Sequence, residues 1–148
     1  MTTRPATTAS AAIDGGSRGN PGEAGSGIVL ALGDGRREDH TLYLGVATNN
    51  VAEYAALIAA LERALALGVD TIDVQSDSEL LVRQLRGIYT VRAPHLLPLW
   101  RHAASLARRF KRFGIRHVRR DRNAEADRLA NVAIDTKVST LPRPGVLP

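Results

Sequence analysis

Four acidic residues lie where the chain changes from one kind of segment to another. Asp14 ends the apolar stretch Ala11-Ala12-Ile13 and precedes the glycine-rich run Gly15-Gly16-Ser17-Arg18-Gly19-Asn20-Pro21-Gly22. Glu53 follows Thr48-Asn49-Asn50 at the head of an Ala- and Leu-rich segment, Asp77 follows Thr71-Ile72-Asp73-Val74-Gln75-Ser76, and Asp127 sits just after Asn123-Ala124. Alone, each has an ordinary explanation. Asp14 suits a turn former, Glu53 the back-reaching acid of a capping box, Asp77 an N-cap and Asp127 a first-turn acid favoured by the helix dipole. Brought together, four carboxylates repel, and divalent cations relieve that repulsion better than protons do. Oxygen ligands in a chain without cysteine suit Mg²⁺ or Mn²⁺. A pair of such ions serves phosphodiester hydrolysis by activating water and stabilising the leaving oxygen.

The elements that would position these acids can be read from period and punctuation. A strand runs into Asp14 and is followed by the glycine-rich turn at residues 15–22. Ala24 to Leu32 and Glu38 to Leu44 read as two further strands joined at Gly33-Asp34-Gly35, so the chain opens as an antiparallel meander. From Val51 to Leu67 the apolar positions Leu57, Leu61, Ala64 and Leu65 recur at helical spacing, with Asn49 or Asn50 as N-cap and Gly68 as the stop. Residues 71–76 form a strand reached by a helical crossover, hence parallel to the first. A short helix over 78–86, an irregular stretch to 98, a helix over 99–112 ended by Gly114, a strand over 115–118 and a helix over 124–136 complete the order. These elements predict an α/β domain with a mixed five-stranded sheet flanked by helices. Asp14 and Asp77 then end adjacent parallel strands, and Glu53 and Asp127 lie in first turns of helices. All four converge on one edge of the sheet, where such folds place their chemistry.

The 148 residues fit one compact domain, with a catalytic region at 9–137, a disordered N-terminus at 1–8 and a loose proline-rich tail at 138–148. No apolar run is long enough to span a bilayer, and the first dozen residues lack the apolar stretch of a secretory signal. A soluble, cytoplasmic protein that acts as a monomer is expected. The net charge is +5, and between Arg101 and Arg128 ten Arg/Lys stand against three Asp/Glu. Such a surface attracts phosphate backbones.

The motifs together resemble ribonuclease HI, the type 1 ribonuclease H family. Asp14-Gly15-Gly16-Ser17-Arg18-Gly19-Asn20-Pro21-Gly22 is similar to its first strand and turn, and Thr48-Asn49-Asn50-Val51-Ala52-Glu53 to its TNNxAE helix start. Ser76-Asp77-Ser78 is similar to its third acidic motif, and Asn123 to Ala130 to its NxxADxLA helix. The resemblance implies a ribonuclease H-like sheet and an endonuclease that cuts the RNA strand of RNA/DNA hybrids. It implies two Mg²⁺ ions held by Asp14, Glu53, Asp77 and Asp127, with Asp14 bridging both, and products with 5′-phosphate and 3′-hydroxyl ends. Asn20, Asn49 and Asn50 would read the minor groove and Thr48 would grip a phosphate of the DNA strand. Ser78 and Asn123 are further substrate-contact candidates. Arg18, Arg92, Arg119, Arg120 and Arg122, with the Arg-rich helix, would supply basic contacts.

The chain departs from the family in three places. The loop before the last acid, Arg119-Arg120-Asp121-Arg122, lacks the family's His, and His117 falls within the last strand. The basic, Trp-containing protrusion is reduced, leaving Tyr89 and Trp100 as core or loop-packing residues. Glu79 stands where the family often has Gln. Two other readings compete: a related four-carboxylate 3′–5′ exonuclease, against which the TNN motif speaks, and a non-catalytic nucleic-acid-binding module, against which all four acids speak.

Overall fold

A computed structural model describes residues 7–148. Strands β1 (Thr8–Arg18), β2 (Gly22–Leu32) and β3 (Arg37–Ala47) form the meander. Helix α1 (Asn49–Ala66), strand β4 (Thr71–Ser76) and helices α2 (Glu79–Leu85) and α3 (Leu97–Ala107) follow. Strand β5 (Arg112–His117), a single 3-10 turn (Arg120–Arg122) and helix α4 (Ala124–Thr136) end the ordered elements. The sheet order is β3-β2-β1-β4-β5. β1 pairs antiparallel with β2 and parallel with β4, and β4 pairs parallel with β5. This is the mixed five-stranded sheet expected. No helix among the described residues is long and apolar enough to cross a membrane.

α1 packs on one face of the sheet and α3 packs beside it, while α4 covers β2 and β1 on the other face. The small residues Ala52, Ala55, Ala56, Ala59 and Ala60 let α1 lie close, and Leu57, Ile58 and Leu61 fill the core between them. Each such fully buried Leu or Ile contributes about 2 kcal/mol. Gly68 ends α1 at φ +81°, and its N–H and that of Val69 donate to Leu65 O and Ala64 O.

Several boundaries differ from the sequence reading. β1 runs through the glycines to Arg18, so only Gly19-Asn20-Pro21 forms the turn. Ladder bonds to β2 override the turn propensity there. Thr48, rather than Asn49 or Asn50, caps α1, its hydroxyl accepting from Val51 N at 3.2 Å. α3 ends at Ala107, and Gly114 lies inside β5, where a Cβ would come within 2.8 Å of Asp73 Oδ1. Pairing of Arg112 with Thr71 starts the strand before the glycine.

The tail is also not loose. It runs along β3, the edge strand. Thr140 N donates to Thr41 O, Thr41 Oγ1 to Val138 O, Tyr43 N to Ser139 Oγ and Arg143 to Leu44 O. Leu141, Val146 and Leu147 pack on the core. Edge strands offer unpaired backbone groups, and this segment answers part of that demand. The disorder expected at residues 1–8 falls on residues outside the described ones, except for Thr7 and Thr8. Thr7 O accepts from Asp70 N and Thr71 N, and Thr8 opens β1.

Candidate active site

Ile13 and Ser76 are partners in the parallel ladder, so Asp14 and Asp77 follow side by side. Two glycine contacts bring in the helices. Opposite Asp14 on β2 lies Gly27. A Cβ on Gly27 would meet Ala126 O at 2.2 Å and Ala130 N at 2.6 Å, so α4 touches the sheet backbone there. That contact sets Asp127, in the first turn of α4, above Asp14. On the other face a Cβ on Gly15 would meet Ala52 C at 2.2 Å and Glu53 N at 2.4 Å. Ser26 Oγ, buried, donates to Ala52 O at 2.7 Å and fixes the same approach. Glu53 is thereby held at the head of α1 beside the end of β4.

The electrostatics follow from this crowding. Burial first, then the charge of Asp77 and a hydrogen bond with Asp127, push the Asp14 carboxyl up to about 8. Burial raises Glu53 to about 7, with Asp77 adding to the rise and a hydrogen bond from Ser78 opposing it. Asp77 itself is only 11% exposed, and Arg120 Nε reaches its Oδ2 at 3.8 Å from an almost fully exposed side chain. Among the described residues no three His, Asp or Glu side chains are drawn into a ready-made ligand arrangement. The acids meet in pairs instead, Asp14 with Asp77 and with Asp127, and Glu53 with Asp77. The donor chemistry suits a hard divalent cation. All four groups are carboxylates, and the two with raised proton affinity bear repulsion that added positive charge would relieve.

The neutral residues of the sequence reading divide into two groups. Asn20, Thr48, Asn49 and Asn50 gather beside the acids. Ser17 N donates to Asn49 Oδ1 at 2.7 Å and Asn49 N to Asn20 Oδ1 at 3.1 Å. Ser78 and Asn123 have turned inward. Ser78 is buried, caps α2 by accepting from Leu81 N and bonds Glu53. Asn123 is 2% exposed, and its Nδ2 donates to Ile13 O at 2.8 Å, the carbonyl just before Asp14. Gln75 Nε2 donates to Arg122 O at 3.0 Å, which ties β4 to the same junction. The side chains of Ser78 and Asn123 are thus engaged within the protein, next to the segments that carry the acids.

Among the basic residues, Arg119 and Arg120 project into solvent near the acids, and Arg92 and Arg122 are also exposed. Arg18 instead bonds Asp135 at 2.5 Å and Asn131 at 3.2 Å. Tyr89 is 46% exposed beneath the Arg83 guanidinium, 5.3 Å from its ring centre, so it is no core residue. Trp100 is partly buried against the core and donates to Gln84 O. Glu79 pairs with Arg83 at 2.8 Å, and His117 is exposed at the end of β5. Sequence reasoning missed Gly27, Ser26 and the clamping role of Asn123. The signal for the first two was the run Ala24-Gly25-Ser26-Gly27, small residues on both faces of a strand, which marks close approach by two helices.

A family model described as reverse transcriptase-like matches residues 12–133. The bifunctional protein Rv2228c of Mycobacterium tuberculosis is 48% identical over 124 residues, 82% of this chain and 34% of that protein. The chain thus spans about a third of the length of that curated relative. Ribonuclease H1 of the archaeon Halobacterium salinarum superposes with a TM-score of 0.83 at 45% identity, covering 87% of this chain and 98% of the other. LC11-RNase H1, solved in complex with an RNA/DNA hybrid, gives 0.81 at 42% identity, covering 88% and 99%. The motifs, the sheet order and these likenesses agree, and the chain belongs to the type 1 ribonuclease H, or ribonuclease HI, family.

Proposed function

We propose that this chain is an endonuclease hydrolysing the RNA strand of RNA/DNA hybrids, with residues 9–137 as its catalytic domain. The observation that carries the reading is the meeting of Asp14 with Asp77 and Asp127, and of Glu53 with Asp77, at one end of the sheet. Family membership and the relative solved with a hybrid support it. Asp14, Glu53, Asp77 and Asp127 would hold two Mg²⁺ ions, or Mn²⁺, which supply water activation and charge neutralisation at the departing 3′ oxygen and so leave 5′-phosphate and 3′-hydroxyl ends.

The chain's own groups do the selecting and positioning. The hydrogen bond from Ser78 favours ionised Glu53, against the burial that opposes it. The Asn123 and Gln75 bonds keep α4 docked, which fixes Asp127 against Asp14. A hybrid is near A-form, and its wide minor groove exposes the 2′-hydroxyls of one strand only. Asn49 and Asn20 use their oxygens within the protein, which leaves their amide N–H groups to donate to such hydroxyls. Thr48 accepts from Val51 N and keeps its O–H for a phosphate oxygen.

The test is digestion of an internally labelled hybrid with Mg²⁺. Internal cuts in the RNA strand are expected. Nibbling from one end would reassign the chain to the four-carboxylate exonucleases, and binding without product would make it a non-catalytic module.

A further inference from the structure

The densest basic cluster does not lie beside the acids. Arg112 pairs with Thr71 at the start of β4, whereas Ser76 and His117 close the opposite end, next to Asp77. Five strand steps, about 17 Å, separate the two ends. Helix α3 delivers its C-terminus to the far end. It buries Leu99, Ala103 and Leu106, followed by Phe110, and this leaves Arg101, Arg108, Arg109, Lys111 and Arg112 exposed.

None of these five forms an ion pair among the described residues, whereas Arg18, Arg37, Arg63, Arg83 and Arg128 each do. Of the acids at this end, Asp34 is paired with Arg36, and Asp70 and Asp73, beside the start of β5, are outnumbered by the five basic residues. Unpaired like charges gathered on the short turn between α3 and β5 favour a polyanion. The exposed large apolar residues Val46, Leu80, Ile88, Tyr89 and Val138 all lie on other elements. The cluster therefore lacks the apolar face of a membrane-surface helix and the apolar centre of a protein interface. Four arginines to one lysine suit bidentate contact with phosphate oxygens.

We infer that this α3–β5 surface is a second nucleic-acid contact that grips the phosphate backbone of the flank extending beyond the stretch held at the acids. The inference rests on the proposed hybrid substrate for the identity of the polyanion. It gives the hydrolytic site a separate anchor about 17 Å away.

The test compares the wild-type chain with R108E/R109E/K111E and with R108Q/R109Q/K111Q, which alter exposed side chains only. Binding and cleavage are measured on hybrids of about one and about four helical turns, at roughly 10 base pairs per turn. The glutamine variant is expected to lower the slope of log K against log salt by about three on the long hybrid. It should raise KM there by about tenfold or more and leave kcat, and KM on the one-turn hybrid, unchanged. An unaltered slope and KM on the long hybrid would overturn the inference. So would equal losses on both lengths. If no protein cuts either hybrid, the hydrolytic reading has failed, and the salt slope of binding still decides whether the surface grips nucleic acid.

Discussion

Replacing Asp14 by Asn should stabilise the metal-free protein while abolishing its activity. The folded chain raises this carboxyl from 3.8 to about 8, chiefly through burial and then through Asp77 and Asp127. Between those two values the folded state holds a proton that the unfolded state releases, so this group's contribution to stability is greatest below pH 4 and falls as pH rises towards 8. The full difference corresponds to about 6 kcal/mol. Water at the rim of the half-buried site screens part of it, and about 2 kcal/mol is a fair expectation for the ionised group at pH 8. Asn keeps the shape and the hydrogen bonds and removes the charge. At pH 8 in chelator, Asp14→Asn should therefore melt about 4–8 °C above the wild type, and at pH 4 the two should coincide. Added Mg²⁺ should reverse the order at pH 8, because only the wild type gains a binding contribution. Scanning calorimetry at both pH values, with and without Mg²⁺, gives all four melting points. A wild type that is the more stable at pH 8 without metal would refute the electrostatic account, and near-normal cleavage by Asp14→Asn would reject the metal assignment.

Asp77→Asn should likewise abolish cleavage of a labelled hybrid with the fold kept, as read by circular dichroism. Because Glu53 is raised to about 7, it is largely protonated at pH 6 and ionised at pH 8. The Mg²⁺ concentration for half-maximal activity should fall as pH rises between them, and a flat titration across that window would remove Glu53 from the ligand set. Gly27→Ala places a methyl group 2.2 Å from Ala126 O. It should cost about 2–3 kcal/mol in denaturant unfolding and at least about 100-fold in activity, since α4 must lift away. Asn123→Ala leaves the buried Ile13 carbonyl unpaired, so about 1–3 kcal/mol should be lost. Its Mg²⁺ requirement should rise while KM for hybrid stays within about twofold; a large rise in KM alone would restore Asn123 as a substrate contact.

The legible part of this molecule was the part governed by period and punctuation. The glycine turn Gly33-Asp34-Gly35, the helical spacing of Leu57, Leu61 and Ala64 and the stop at Gly68 all stand where pattern places them. The convergence of the four acids was legible because each sits at an element boundary, and boundaries of an α/β sheet share an edge. What pattern alone could not show had tertiary causes. Asn123 reads as a substrate contact through its motif, and only the fold shows that its Nδ2 donates to Ile13 O. The tail reads as a linker by its prolines, yet Ser139 and Thr140 find the open hydrogen-bonding edge of β3. Gly114 reads as a helix stop, and pairing with β4 converts it to a strand residue.

Small residues, more than charged ones, define this site. Acids are common at strand ends and helix starts, and none of the four carries information about its neighbours. Gly15 and Gly27 do. Each lies directly under a helix, on opposite faces of adjacent strands, at backbone-contact distance from the residue beside one of the four acids or within one turn of it. A Cβ at either place would push its helix outward by more than an ångström, a larger change than the tolerance of about 0.5 Å that a catalytic constellation allows. The acids can then be exchanged for amides without disturbing the scaffold, whereas the glycines cannot be exchanged for alanine without moving the acids. Comparing Asp77→Asn with Gly15→Ala separates charge from placement. Both should be inactive, but the glycine variant should also lose stability and lower the raised Asp14 and Glu53 pKa values as the crowding relaxes.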